Sequence, residues 1–339
     1  MALVVVVPGP GSPDQAARSA GPGVRRTEPV QRVVSALSSS VRAMRGPVPK
    51  AGEVSVLDLA EVFSRPTGGQ PAFGDGAAEH GAVDQGAEHG SASTNGAGPY
   101  PGSAVTTPDS ARNQGNKGDP QPADEAAVAE AADLTAELLG AWWTAAARIG
   151  RFETPQERPA GGSAEPADLT GALASTVYFQ GSAAMVDAEA AALSRYLTDL
   201  KLRHEARAET QSAITPDTRV VVGHGVGAVI AYEALCALGD AATVTFVSLG
   251  AALCGPDGVF TRLEPAPRNG QGHWPASVRR WFNVVADSDP TAIIAPRLTE
   301  RFGPGIEDEV VEMKSACGDL PTYLADRTAG RAMAAGLGV

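Results

Sequence analysis

Gly223-His224-Gly225-Val226-Gly227 is the stretch of this 339-residue chain best suited to chemistry. In acyl-transfer enzymes the spacing G-x-S-x-G sets a serine on a sharp strand-to-helix turn. Its hydroxyl projects free of the sheet there, and the next amide helps to form an oxyanion hole. Here the outer glycines are present, but the nucleophile position, Gly225, has no side chain. The same turn also reads Gly223-x-Gly225-x-x-Ala228, a dinucleotide fingerprint whose glycines let a pyrophosphate approach a helix N-terminus. The next strand ends in Ser248-Leu249-Gly250, with no acidic residue to hold a ribose.

A turn of this kind needs a strand before it and a helix after it. Thr218 to Val222 supplies β-branched residues, and Val229 to Leu235 continues without a breaker. Further strands are expected at 3–7, 53–59, 243–249 and 278–285, with a partly charged one at 306–313 suited to a sheet edge. The first strand runs into a Pro8-Gly9 loop. Val30, Val33, Leu37 and Val41 recur at helical spacing and end before Gly46-Pro47. The patterns at 123–149 and 184–210 predict two long helices, while 169–178 leaves its state open. Alternating strands and helices imply a mostly parallel sheet covered by helices on both faces, within one α/β domain spanning 1–339.

Glycine, alanine, serine and proline dominate 64–122, predicting a low-complexity, disordered insertion ahead of a helical segment over 123–210. His80 and His89 sit in its Ala-Glu-His-Gly repeats, where nothing fixes them as ligands, so no metal or other cofactor is expected. The net charge of −12 argues against a nucleic-acid surface. Three cysteines without metal spacing fit a reducing cytoplasm, and no apolar run is long enough to insert in a membrane. Trp142, Trp143, Trp274, Trp281 and Phe282 are read as core.

From Thr218 onward the chain resembles the actinobacterial α/β-hydrolases of the serine esterase and lipase type. The resemblance is carried by the glycine frame with Val229-Ile230-Ala231-Tyr232-Glu233-Ala234-Leu235, by Val247-Ser248-Leu249-Gly250, by Asn283 to Pro290, and by Tyr323-Leu324. It implies an α/β-hydrolase fold. The serine of such an enzyme falls on Gly225, the acid on Asp289 or alternatively Asp287, and the histidine on Gly318. None of the five histidines, His80, His89, His204, His224 and His273, lies after the strand that carries the acid. The His-Gly pair usual after the first strand is Pro8-Gly9.

A serine nucleophile needs a base, and a base needs something to deprotonate. Losing both implies a pseudoenzyme acting as a binding or scaffolding subunit. Its partner would be a protein, or a small acyl or peptide ligand held by Pro8, Gly9, His224, Gly225 and Val226. The alternatives are an esterase or lipase with substitute residues, Ser248, Ser315 or Cys317 being nearest the expected sheet edge, and a dinucleotide-binding protein.

Overall fold

A computed structural model describes residues 2–9, 27–65, 122–150, 166–240, 242–292, 297–313 and 319–338. Nearly all of the low-complexity tract, with His80 and His89, lies outside the described residues, as do Ser315, Cys317 and Gly318.

The strands are β1 (Val4–Val7), β2 (Val54–Val56), β3 (Val220–His224), β4 (Val244–Leu249), β5 (Val278–Ala286) and β6 (Ile306–Val311). They form one sheet in the order β2-β1-β3-β4-β5-β6. Every neighbouring pair is parallel, so the sheet is wholly rather than mostly parallel. The reason lies in the connections, since a helix separates each strand from the next and returns the chain to the same end of the sheet. The partly charged β6 is indeed an edge strand, pairing with β5 alone.

The helices, in chain order, are α1 (Thr27–Ala43), α2 (Ala60–Ser64), α3 (Pro122–Ile149), α4 (Pro166–Ala174), α5 (Ala183–Thr198), α6 (Leu200–Ala213), α7 (Val226–Ala237), α8 (Asp257–Phe260), α9 (Leu298–Phe302), α10 (Leu320–Ala325) and α11 (Arg327–Leu337). Alternate residues of the fully buried strands feed two cores. Val4, Val6, Val220, Val222 and Val247 pack with α1, α10 and α11. On the other face Val5, Val7, Val221, Phe246 and Trp281 pack with α3 through α9. Trp142 and Trp143 are buried, Phe282 is buried in the core beside α1, α10 and α11, and Trp274 packs partly buried against the core on the other face.

The helix expected over 184–210 is two helices. Asp199 adopts φ −92°, ψ 98°, and its Oδ1 accepts from the amides of Lys201 (3.1 Å) and Leu202 (3.0 Å). An aspartate in extended backbone offering its carboxylate to the next turn starts a new helix, and here it ends the preceding one. The open stretch at 169–178 lies partly in α4. Among the described residues no helix is long and apolar enough to cross a membrane.

Candidate functional site at the carboxyl end of the sheet

The strand order reverses between β1 and β3, because the chain leaves β1 toward β2 on one side and later returns to β3 on the other. Loops at the carboxyl ends of such a pair diverge and leave a crevice, the usual ligand position in a parallel α/β sheet. Pro8-Gly9 follows β1 and the glycine turn follows β3, so both predicted loops meet there. A Cβ on Gly9 would lie 3.2 Å from the His224 carbonyl and 3.5 Å from the Val226 amide nitrogen.

The three glycines of the turn have different reasons to be glycine. A Cβ at Gly223 would fall 2.5 Å from the Ala228 Cα, and one at Gly227 would fall 2.8 Å from the carbonyl carbons of Val7 and Pro8. Both are demanded by the close passage of α7 over β3 and β1. Gly225 has φ 55° and ψ −125°, a strained conformation that caps α7. Its Cβ direction is nearly open, with only Glu189 Oε1 within 4 Å, at 3.6 Å.

Of the two candidate acids, Asp289 is fully buried near this turn. Its Oδ1 accepts from the Thr291 amide (2.9 Å) and hydroxyl (2.6 Å), and its Oδ2 accepts from the Tyr323 hydroxyl (2.9 Å). That hydroxyl also accepts from the Ala286 amide at 2.9 Å. Gly250, at φ 52°, completes the pocket, since a Cβ there would come within 2.9 Å of both Asp289 Oδ2 and the Tyr323 hydroxyl. Asp287 instead follows the edge pairing, its amide donating to the Val311 carbonyl. His224 is 2% exposed, and its ring lies 5.5 Å from that of Tyr323. The imidazole therefore packs behind the turn against the tyrosine that holds Asp289. Among the described residues His204 and His273 are exposed.

Glu189 of α5 is the site residue that the sequence did not disclose. Burial, reinforced by the charge of Asp289, pushes its carboxyl up to about 8. Burial likewise raises Asp289 to about 6, against the opposing pull of the Thr291 and Tyr323 hydrogen bonds. Glu189 is the further raised of the two, so a proton held by the pair sits on Glu189, from which it can be donated across Gly225. The Ala228 amide donates to the Gly225 carbonyl (3.1 Å), which leaves the amides of Val226 and Gly227 as the donors offered at the same spot. Tyr178 stands beside both carboxyls, and burial with their charges holds its phenol un-ionised. The result is a cradle of donors around a position without a side chain.

The other nucleophiles near the sheet are committed elsewhere. Ser248 is fully buried, donating to Asn283 Oδ1 (2.7 Å) and accepting from Trp281 Nε1 (3.0 Å). Burial raises the Cys236 thiol to about 12 and raises that of Cys254 as well, which leaves both as poor thiolates. Among the described residues no group of three or more His, Cys, Asp or Glu side chains could hold a metal ion.

The two raised carboxyls set a sign for pH dependence. Each binds its proton more tightly folded than unfolded, so their contribution is retained in acid. It is lost as pH rises through about 6 for Asp289 and about 8 for Glu189. Glu189→Gln is expected to flatten this fall and to exceed the parent by about 1–2 kcal/mol near pH 9, a value reduced because the carboxylate is partly solvent-accessible. Urea unfolding across a pH series measures it, and parallel curves for the two proteins would refute the assignment.

Compared with protein-family models, with curated proteins and with solved structures, the chain matches none.

Proposed function

We propose that this protein is a degenerate member of the α/β-hydrolase type that binds a small neutral acyl or peptide ligand at the Gly225 turn without cleaving it. The observation that carries the reading is Gly225 itself. It has the strained dihedrals suited to projecting a nucleophile, room for a side chain, and none present. The six parallel strands and the buried acid after β5 support the same reading. Asp289 is satisfied by Tyr323 and Thr291, so its hydrogen bonds are given to a fixed hydroxyl pair. A carbonyl oxygen could accept from the α7 amides and from protonated Glu189.

Charge separates this reading from the dinucleotide alternative. A pyrophosphate at the turn would lie near the buried Asp289 carboxylate, where like charges repel. A neutral ester or amide meets no such penalty. The site therefore favours an uncharged carbonyl ligand over a phosphate.

Incubation with a fluorophosphonate probe and a panel of short-chain esters tests the absence of catalysis, and calorimetry with N-acyl peptides tests binding. Labelling of any serine, or turnover abolished by replacing it, would overturn the proposal. Gly225→Ser is expected to leave ester hydrolysis at background, because its hydroxyl would face Glu189 rather than an imidazole, and a mostly protonated carboxyl is a poor base at neutral pH. Stopped-time ester assays of that variant check this, and robust turnover would show that a competent base stands opposite.

A further inference from the structure

The opposite end of the sheet holds a cavity of about 510 Å3 between the amino ends of β3, β4 and β5 and the end of α11. Arg219, Arg279 and Arg280 line it, together with Thr243, Thr245 and Gly336. The arginines are presented by a rigid frame. The Arg219 amide donates to the Leu3 carbonyl (2.9 Å), and its own carbonyl accepts from the Thr245 amide (2.8 Å). Arg279 and Arg280 are in β5, where Arg280 lies over the Phe282 ring at 4.7 Å. Gly336 lets α11 close the wall, since a Cβ there would meet Val220 Cγ2 at 2.6 Å and Thr245 Cβ at 2.8 Å.

Two of the three guanidinium charges at this cavity have no ion-pair partner among the described residues. Arg280 pairs with Glu307 at 2.7 Å, whereas among the described residues no carboxylate lies within ion-pair reach of Arg219 or Arg279. The carboxyl end of α11 supplies roughly half a negative charge, which is too little for two guanidiniums. A chain of net charge −12 has many carboxylates with which to neutralise exposed arginines, yet it leaves these two lining one hollow. Guanidinium forks match the paired oxygens of a phosphate, and threonine hydroxyls can donate to the remaining ones. The volume falls within the range of small-molecule sites.

We infer that this cavity is a binding site for a small phosphorylated molecule, with Arg219 and Arg279 as its anchors and Arg280 as a third cation shared with Glu307. The site is separate from the Gly225 turn and does not depend on what binds there. Isothermal calorimetry of the full chain with inorganic pyrophosphate, adenosine monophosphate and citrate, at matched ionic strength, tests it. One pyrophosphate is expected to bind per chain more tightly than citrate. Arg219→Ala and Arg279→Ala should each weaken it by about tenfold or more. Arg279→Lys, which keeps the charge and loses the fork, should recover only part of that loss. Arg148→Ala, an exposed arginine of α3 on the other face of the sheet, should leave affinity unchanged. Absence of pyrophosphate binding at millimolar concentration, equal losses in the Arg148 control, or tighter binding of citrate would each overturn the assignment.

Discussion

Arg203→Met is expected to destabilise the protein by about 3–5 kcal/mol, because it strands a buried carboxylate. Glu233 is fully buried in the middle of α7, and Arg203 of α6 is 4% exposed. The guanidinium binds both oxygens of Glu233, with Nε to Oε2 at 2.9 Å and a second, closer bond from Nη2 to Oε1. It also donates to the Arg262 carbonyl (2.6 Å) and reaches Glu264 Oε1 at 3.3 Å. Without it Glu233 keeps the Tyr196 hydroxyl (2.7 Å) and the Glu264 amide (2.9 Å), with Arg207 no nearer than 4.0 Å. Urea unfolding of the single variant measures the loss. A double variant, Arg203→Met with Glu233→Leu, should recover most of it, since a buried pair exchanged for apolar groups is often close to neutral. A single variant within about 1 kcal/mol of the parent would mean that water reaches Glu233 freely.

This ion pair also bears on the site. Tyr196 and Glu189 are seven residues apart on α5, and Glu233 of α7 lies eight residues beyond Gly225, the residue that caps that helix. Each spacing is about two helical turns, so the Tyr196 to Glu233 hydrogen bond fixes the axial register that places Glu189 over Gly225. Losing Arg203 should therefore disturb the turn as well as the fold.

Local patterns made the sheet readable. Runs such as Val4 to Val7 and Val220 to Val222 sit where β-branched residues buried on both faces must sit, and their glycine and proline boundaries hold to within a residue or two. The turn was readable for the same reason, as its glycines are adjacent in sequence. Glu189 was not, because its role comes from α5 lying across α7 and no local spacing records that contact. Glu233 left a fainter trace, a lone carboxylate among apolar residues from Val226 to Leu235 that had to be either exposed or paired. Asp199 was legible in principle, since an aspartate followed by a fresh helical turn is a cap, but the unbroken apolar periodicity on either side outweighed it. Arg279 and Arg280 were legible as flanking a buried strand and facing solvent or an acid, but the cavity was not, because Arg219 and Arg279 come to line one hollow only through the pairing of β3 and β5 with β4.

Gly227→Ala is expected to reverse the usual sign of a glycine-to-alanine change in a helix. In an unhindered helical position alanine is favoured by about 1 kcal/mol. At Gly227 the new methyl would stand 2.8 Å from the carbonyl carbons of Val7 and Pro8 and closer still to the Val7 oxygen, all of them backbone atoms of the β1 end. No rotamer can relieve that contact, so α7 must move off β1, at a cost of about 3 kcal/mol or more. Gly225→Ala should lose about 1–3 kcal/mol through backbone strain alone, because its side chain has room. Thermal and urea unfolding of the two variants, with Gly223→Ala as a second packing control, would order them. If Gly225→Ala proved the most damaging, the steric account of the frame would be wrong. The ordering separates architecture from chemistry within five residues. Gly223 and Gly227 are retained by packing whether or not the turn does chemistry, so their presence says nothing about catalysis. Packing imposes no such limit on the side chain at Gly225, and the open space beside Glu189 is therefore a property of the site and not of the fold.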